Sequence, residues 1–178
     1  HCILQSGPQR KERVRREEAL DWIGQLARYR DGMVWVLALT GGEPFYNLDV
    51  LRELSDAAAS QGLLVSAVTN AFWATSLERA VQILEGLPSL RVLQISTDVY
   101  HQLAIPFERV VNAVKAVRAC RIPYTLAVCT ENENDPGYLA LMGRLKALVD
   151  PGLIYTSITF PVGRAAETVD RSGYTASS

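Results

Sequence analysis

Short apolar runs alternate along the chain with longer stretches of helical spacing. The runs Val34–Thr40, Leu63–Thr69, Arg91–Thr97, Tyr124–Thr130 and Leu153–Phe160 are rich in valine, leucine and isoleucine, and each reads as a buried strand. Segments of helical period separate them at intervals of about 30 residues, the size of a βαβ unit, which predicts a parallel sheet.

The helical segments have chemical boundaries. Ala19, Trp22, Ile23 and Leu26 share one face of a first helix, and Leu51, Leu54, Ala57 and Ala58 share one face of a second. Gly62 stops that second helix, because glycine takes the left-handed conformation at no steric cost. The third opens at Thr75-Ser76-Leu77-Glu78, where the spacing predicts that Thr75 caps the backbone and Glu78 reaches back to it, and it ends near Gly86 and Pro88. The fourth begins around Pro106 and presents Val110, Val111, Val114 and Val117. Asp135 and Pro136 form a cap and first-turn pair for the fifth, ahead of Leu139, Met142 and Leu145.

Composition narrows the class without naming a function. A chain of 178 residues with 48% hydrophobic content suits one globular domain with a sizeable core. A net charge of −1 provides no basic field for nucleic acid or acidic lipid, and the longest apolar stretch, Met33–Leu39, is too short to cross a bilayer. Neither a nucleic-acid nor a membrane partner is expected. Three widely spaced cysteines, Cys2, Cys120 and Cys129, do not form the framework of a secreted disulfide domain, so a reduced, cytoplasmic address is expected. Cys120 and Cys129 read as small buried hydrophobes. The charged run Arg10–Glu18 places Glu12 beside Arg16 and Arg13 beside Glu17, the pattern of a solvated helical face. Residues 1–165 read as one domain, and 166–178 as a polar tail or the start of a further region.

Chemistry collects where the strands end. In parallel α/β folds, ligands bind at the carboxyl ends of the strands. Those ends read TGGEP (Thr40–Pro44), TNAFW (Thr69–Trp73), STDVYH (Ser96–His101), TENEND (Thr130–Asp135) and PVGRA (Pro161–Ala165). A purely structural sheet has no need of glycine, carboxylates, asparagine and arginine on one rim, so a polar small-molecule site is predicted there. Gly41 and Gly42 can expose backbone to a ligand, Pro44 fixes the turn, and Glu43 offers a carboxylate for an ammonium group; alone, the four residues read equally as a glycine-rich turn before the helix at Asn47.

Taken with His1-Cys2 at the start of the chain, the GGEP loop and the later ISTD segment (Ile95–Asp98), this layout resembles the radical S-adenosylmethionine (SAM) family over Cys2 to about Ala165. The resemblance implies an α/β fold, a partial (β/α)6 TIM-like barrel, with its first strand missing from this sequence. In that family a C-x-x-x-C-x-x-C loop follows the first strand, and His1-Cys2 looks like its last two positions. Two of the three cluster cysteines are therefore absent, and the expectation is a piece of a longer enzyme that cannot hold a normal [4Fe-4S] cluster by itself.

By resemblance, Cys2 is an iron ligand and His1 lies beside the adenine of SAM, or is an exposed terminal histidine. Gly41, Gly42, Glu43 and Pro44 form the loop that receives the methionine ammonium group. Ser96 and Asp98, at alternate positions of one strand, bind the SAM carboxylate and ribose hydroxyls, or else cap the next loop. Asn70 contacts SAM or substrate, or closes an asparagine turn. His101 and Arg164 are candidates for the substrate, against a structural histidine and a surface charge. Trp35, Trp73, Tyr100 and Phe160 screen the site or pack the core. The implied activity is reductive cleavage of SAM and hydrogen abstraction by the 5′-deoxyadenosyl radical, in peptide or protein modification or in cofactor assembly. A small-molecule or peptide substrate and an electron donor such as a flavodoxin or ferredoxin are implied with it. Two alternatives stay open: a non-catalytic SAM-type binding module without a functional cluster, and a cluster-free barrel enzyme using Glu43, Asp98 and His101 in acid–base chemistry.

Overall fold

A computed structural model of the protein describes residues 14–159. Within it the strands β1 (Val36–Leu39), β2 (Leu64–Thr69), β3 (Leu90–Ser96), β4 (Tyr124–Thr130) and β5 (Ile154–Ile158) lie in chain order in one sheet, every pair parallel. The helices between and around them are α1 (Arg16–Arg28), α2 (Leu48–Ser60), α3 (Leu77–Glu85), α4 (Val99–Gln102), α5 (Phe107–Ala119) and α6 (Pro136–Leu148). A doubly wound sheet reverses its strand order partway across; this one does not, so it is the wall of an open barrel. The chain forms the parallel sheet that its βα repeat predicts and the partial TIM-like α/β barrel that the family resemblance implies.

The alternation of side chains splits the sheet into two unlike faces. Val65, Ala67, Leu93, Ile95, Leu126 and Val128 point to the helix side and are sealed from solvent in the core. Leu84, Val110, Val114, Val117 and Leu145 fill that layer from α3, α5 and α6. The other face carries Ser66, Gln94, Ser96, Thr125 and Cys129, all half-buried, and the exposed Ser157. Register makes this a continuous surface, because Gln94 sits beside Thr125, Ser96 beside Ala127, and Cys129 beside Ser157.

Several elements depart from the sequence reading. The cap of α3 is Ser76, whose hydroxyl accepts from the Arg79 N–H at 3.2 Å, and not Thr75. Glu78 therefore sits one position nearer the cap, where its own N–H and the Ser76 side chain hold its carboxyl below the usual range. In α6 the buried set is Tyr138, Leu141 and Leu145, while Leu139 is 54% exposed. On α1 only Ile23 of the expected face is buried, and Trp22 is 50% exposed. That helix lies at the β1 end of the sheet and packs against α2, to which Arg16 is paired through Glu53, so one side alone is covered. Cys129 is half-buried on the open face rather than in the core. The short helix α4, not read from the sequence, follows directly on the ISTD segment.

The cap assignment is testable. Ser76→Ala should destabilise the protein by about 1 kcal/mol in urea unfolding, whereas Thr75→Ala should change it by less than about 0.5 kcal/mol.

Candidate functional site

The loop after β1 is shaped by its two glycines. Gly41 and Gly42 have φ of 89° and 61°, a region that favours glycine, and both are exposed. A Cβ added at Gly42 would meet nothing within 4 Å, so the requirement there is conformational and the space beside it is open. Glu43 follows as the cap of a tight turn over Pro44–Tyr46, and Pro44 supplies its fixed φ at the first position.

The Glu43 side chain ties this loop to the end of β2. Its Oε1 accepts from the Phe45 N–H at 3.1 Å and from the Thr69 hydroxyl at 2.7 Å, and its Oε2 accepts from the Asn70 N–H at 2.8 Å. A carboxylate offers about four acceptor positions, so these bonds leave one on Oε2. Burial pushes the Glu43 carboxyl above its ordinary range, while the donated bonds from Asn70, Thr69 and Phe45 and the nearby His101 pull in the opposite direction.

Below Glu43 the two loops interlock. The rings of Phe45 and Trp73 stack with centroids 4.5 Å apart and planes 8° apart, and both are buried. Trp73 Nε1 donates to Thr69 Oγ1 at 2.9 Å, and the Ala71 N–H donates to the same oxygen at 3.1 Å. Ala71 has φ of 64°, an uncommon conformation for a residue with a Cβ, and is held there in the core. From α5, Arg109 donates to the Phe72 carbonyl and Asn112 to the Ala74 carbonyl, so the loop is anchored on both sides.

Asn70 closes an asparagine turn, its Oδ1 accepting from the Phe72 N–H at 3.0 Å, while its own N–H serves Glu43. Ser96 ends β3 on the open face. Asp98 is 2% exposed and caps α4, its Oδ1 accepting from the N–H groups of Tyr100 and His101, both at 2.9 Å. Its Oδ2 lies 2.9 Å from His101 Nδ1, and Tyr100 donates its hydroxyl to Glu131 on the next loop. The structure thus gathers Gly41, Gly42, Glu43, Pro44, Asn70, Ser96, Asp98 and His101 along the strand-end rim. His1, Cys2 and Arg164, with Phe160, lie outside the described residues.

Thr69, Phe45 and Trp73 complete the arrangement, and the first of these carried no signal in the sequence beyond its place as the last residue of a strand. Trp35 is 69% exposed at the start of β1, and Trp73 packs in the core. Among the described residues no three His, Cys, Asp or Glu side chains converge on a metal position. Cys120 follows the C-terminus of α5 and Cys129 lies near the C-terminal end of β4, so they stand at opposite ends of the βα layers. No helix among the described residues is long and apolar enough to span a membrane.

The raised Glu43 carboxyl has a sign that can be checked. A folded state that holds its proton more tightly than the unfolded chain loses stability as pH rises from the ordinary carboxyl range to the folded value. Glu43→Gln removes that titration, so the stability lost by this variant should be larger at pH 4 than at pH 8 in urea unfolding. A constant difference would show that Glu43 is not desolvated.

The parallel α/β wall agrees with comparison to known proteins. The model of the radical SAM superfamily matches residues 1–143. The Bacillus subtilis (strain 168) protein YydG, whose name places it provisionally in peptide biosynthesis, is 26% identical over 120 residues, which are 66% of this chain and 37% of YydG. The chain therefore spans well under half the length of that relative. With most of its length matched, including the loop that carries Glu43 and the whole β1–β4 wall, this chain belongs to the radical SAM superfamily.

Proposed function

We propose that the full-length protein is a radical SAM enzyme acting on a peptide, and that the rim described above holds SAM. The observation that carries the proposal is the Glu43 carboxylate, fixed by three protein donors with one acceptor position left on Oε2, beside two exposed glycines. This charged acceptor fits the α-ammonium group of SAM, which can only donate. A partly desolvated carboxylate attracts a cation more strongly than a solvated one, and no side chain at Gly41 or Gly42 obstructs the approach.

Bound together, a [4Fe-4S] cluster and SAM supply one-electron cleavage of the sulfonium bond and a 5′-deoxyadenosyl radical for hydrogen abstraction. Cys2, the cluster ligand implied by the resemblance, and His1, placed beside the adenine, fall outside the described residues. The described residues bind and orient. Glu43 takes the ammonium group, and Ser96, on the open face, takes the carboxylate. Asp98, buried, orders the first turn of α4 and sits against His101, and through them shapes the ribose side of the rim. Asn70 positions Glu43 through its N–H. His101, on the rim, is the candidate for the substrate among the described residues; Arg164, the other candidate, lies outside them. The open sheet face mixes neutral hydrogen-bonding groups such as Ser66, Gln94 and Thr125 with the apolar Val68, Val92 and Ala127, a surface suited to a peptide chain, in keeping with the name of YydG. An electron donor such as a flavodoxin or ferredoxin completes the system in a cytoplasmic setting.

The test is anaerobic reconstitution of the full-length protein with iron and sulfide, followed by SAM, a reductant and an assay for 5′-deoxyadenosine. Cleavage of SAM is expected. An intact cluster with bound SAM and no cleavage would overturn the catalytic reading in favour of a binding module. SAM affinity, measured by equilibrium dialysis, should strengthen with rising pH as Glu43 ionises, and the increase should extend above the ordinary carboxyl range. Glu43→Gln should flatten that dependence and weaken SAM binding about tenfold or more.

A further inference from the structure

The hydroxyl of Thr69 is fully committed. Its oxygen can accept two bonds and donate one, and it accepts from the Ala71 N–H at 3.1 Å and from Trp73 Nε1 at 2.9 Å. Both acceptor positions being filled, the proton has one direction left, toward Glu43 Oε1 at 2.7 Å. That short distance is typical of a hydroxyl donating to a charged oxygen. Thr69 is buried on the helix side of β2, so water does not compete for these bonds.

We propose that Thr69 is a positioning residue for the ammonium site: its hydroxyl, oriented by Ala71 and Trp73, fixes the rotation of the Glu43 carboxylate and so sets where the remaining Oε2 acceptor points. The proposal rests on reading Glu43 as the acceptor of the SAM ammonium group. Its distinct content is that an aromatic residue and a strained backbone turn, neither touching the ligand, govern that acceptor through one hydroxyl. The left-handed Ala71 is part of the device, because it redirects the chain that follows, and Trp73 two residues on donates to the same Thr69 oxygen. Loss of the hydroxyl leaves the Trp73 and Ala71 donors without their acceptor and leaves Glu43 Oε1 held by the longer bond from the Phe45 N–H alone. It also removes one of the bonds that favour the ionised carboxyl.

The experiment uses the full-length protein with Thr69→Val, which keeps the shape and removes the hydroxyl, and Thr69→Ser, which restores it. The Glu43 carboxyl is titrated by carbon-13 NMR in SAM-free protein, with Glu43→Gln assigning the signal, and SAM binding is measured by equilibrium dialysis. In Thr69→Val the Glu43 titration should move to higher pH and SAM binding should weaken about tenfold. Thr69→Ser should recover both. Should Thr69→Val fail to fold, Trp73→Phe supplies the second variant: the stacked ring stays while the indole donor goes, the hydroxyl gains a second orientation, and the Glu43 titration should again move upward.

An unchanged Glu43 titration in folded Thr69→Val, or in Trp73→Phe where the valine variant is lost, would overturn the proposal. The two readings fail separately, since the titration is read without SAM. Wild-type protein that binds no SAM while Glu43 still responds to Thr69 removes the SAM assignment and leaves the positioning role standing.

Discussion

The rim is organised by one carboxylate. Glu43 takes hydrogen bonds from its own turn through Phe45 and from the end of the next strand through Thr69 and Asn70, so two successive βα loops are joined at one point. Without that junction the glycine-shaped loop would be tied to the end of β2 through the Phe45–Trp73 and Tyr46–Phe72 ring contacts and the strand pairing beneath them. The junction also costs something: a half-buried carboxylate loses hydration, which is why its proton is held more tightly than usual. The donated bonds offset that loss and keep the group in a defined place.

The sheet explains why such a junction is possible. Sequential parallel strands bring every loop that follows a strand to the same edge, and the helices bury one face of the wall in an apolar layer. Residues of that dry face continue upward into the rim. Thr69 is the last of the alternating set Val65, Ala67, Thr69, and so it reaches the strand end on the buried side, where its hydroxyl is shielded from water. Thr130 closes β4 in the same manner, buried, with its hydroxyl donating to the Asn132 carbonyl at 2.8 Å. In both places a threonine that ends a strand converts the hydrophobic alternation into local hydrogen bonding, which sets the path of the loop above it.

The strands and the rim were legible in the sequence because β-branched runs ending in glycine, asparagine or aspartate leave few other readings. The four-residue GGEP loop, Asn70, Ser96 and Asp98 all fall where the strand ends place them. Less was legible where two neighbouring residues offer the same chemistry. Thr75 and Ser76 can each cap a helix, and the tight turn from Ala71 to Thr75, with the Ala74 N–H bonded to the Ala71 carbonyl, delivers Ser76 to that position. In α6 apolar residues crowd every side of the first turns, so periodicity alone does not separate Tyr138 from Leu139. Thr69 was invisible for a related reason: threonine at the end of a strand is already accounted for by strand propensity, and its partners come from residues 26 positions earlier and four later.

The electrostatic balance at Glu43 bears on how selective such a site can be. A carboxylate with no protein donors, in the same half-buried place, would hold its proton and lose its attraction for an ammonium group. One with every acceptor position filled would stay ionised but offer nothing to a ligand. Three donors and one remaining position lie between these limits. On the proposed reading, the incoming ammonium supplies the fourth bond together with a full positive charge, in a setting where water screens the pair less than at the surface. A neutral donor would supply only the bond. The same carboxylate thus separates a protonated amine from an alcohol or amide of similar size, and it does so most strongly while Thr69 and Asn70 keep it from turning toward solvent.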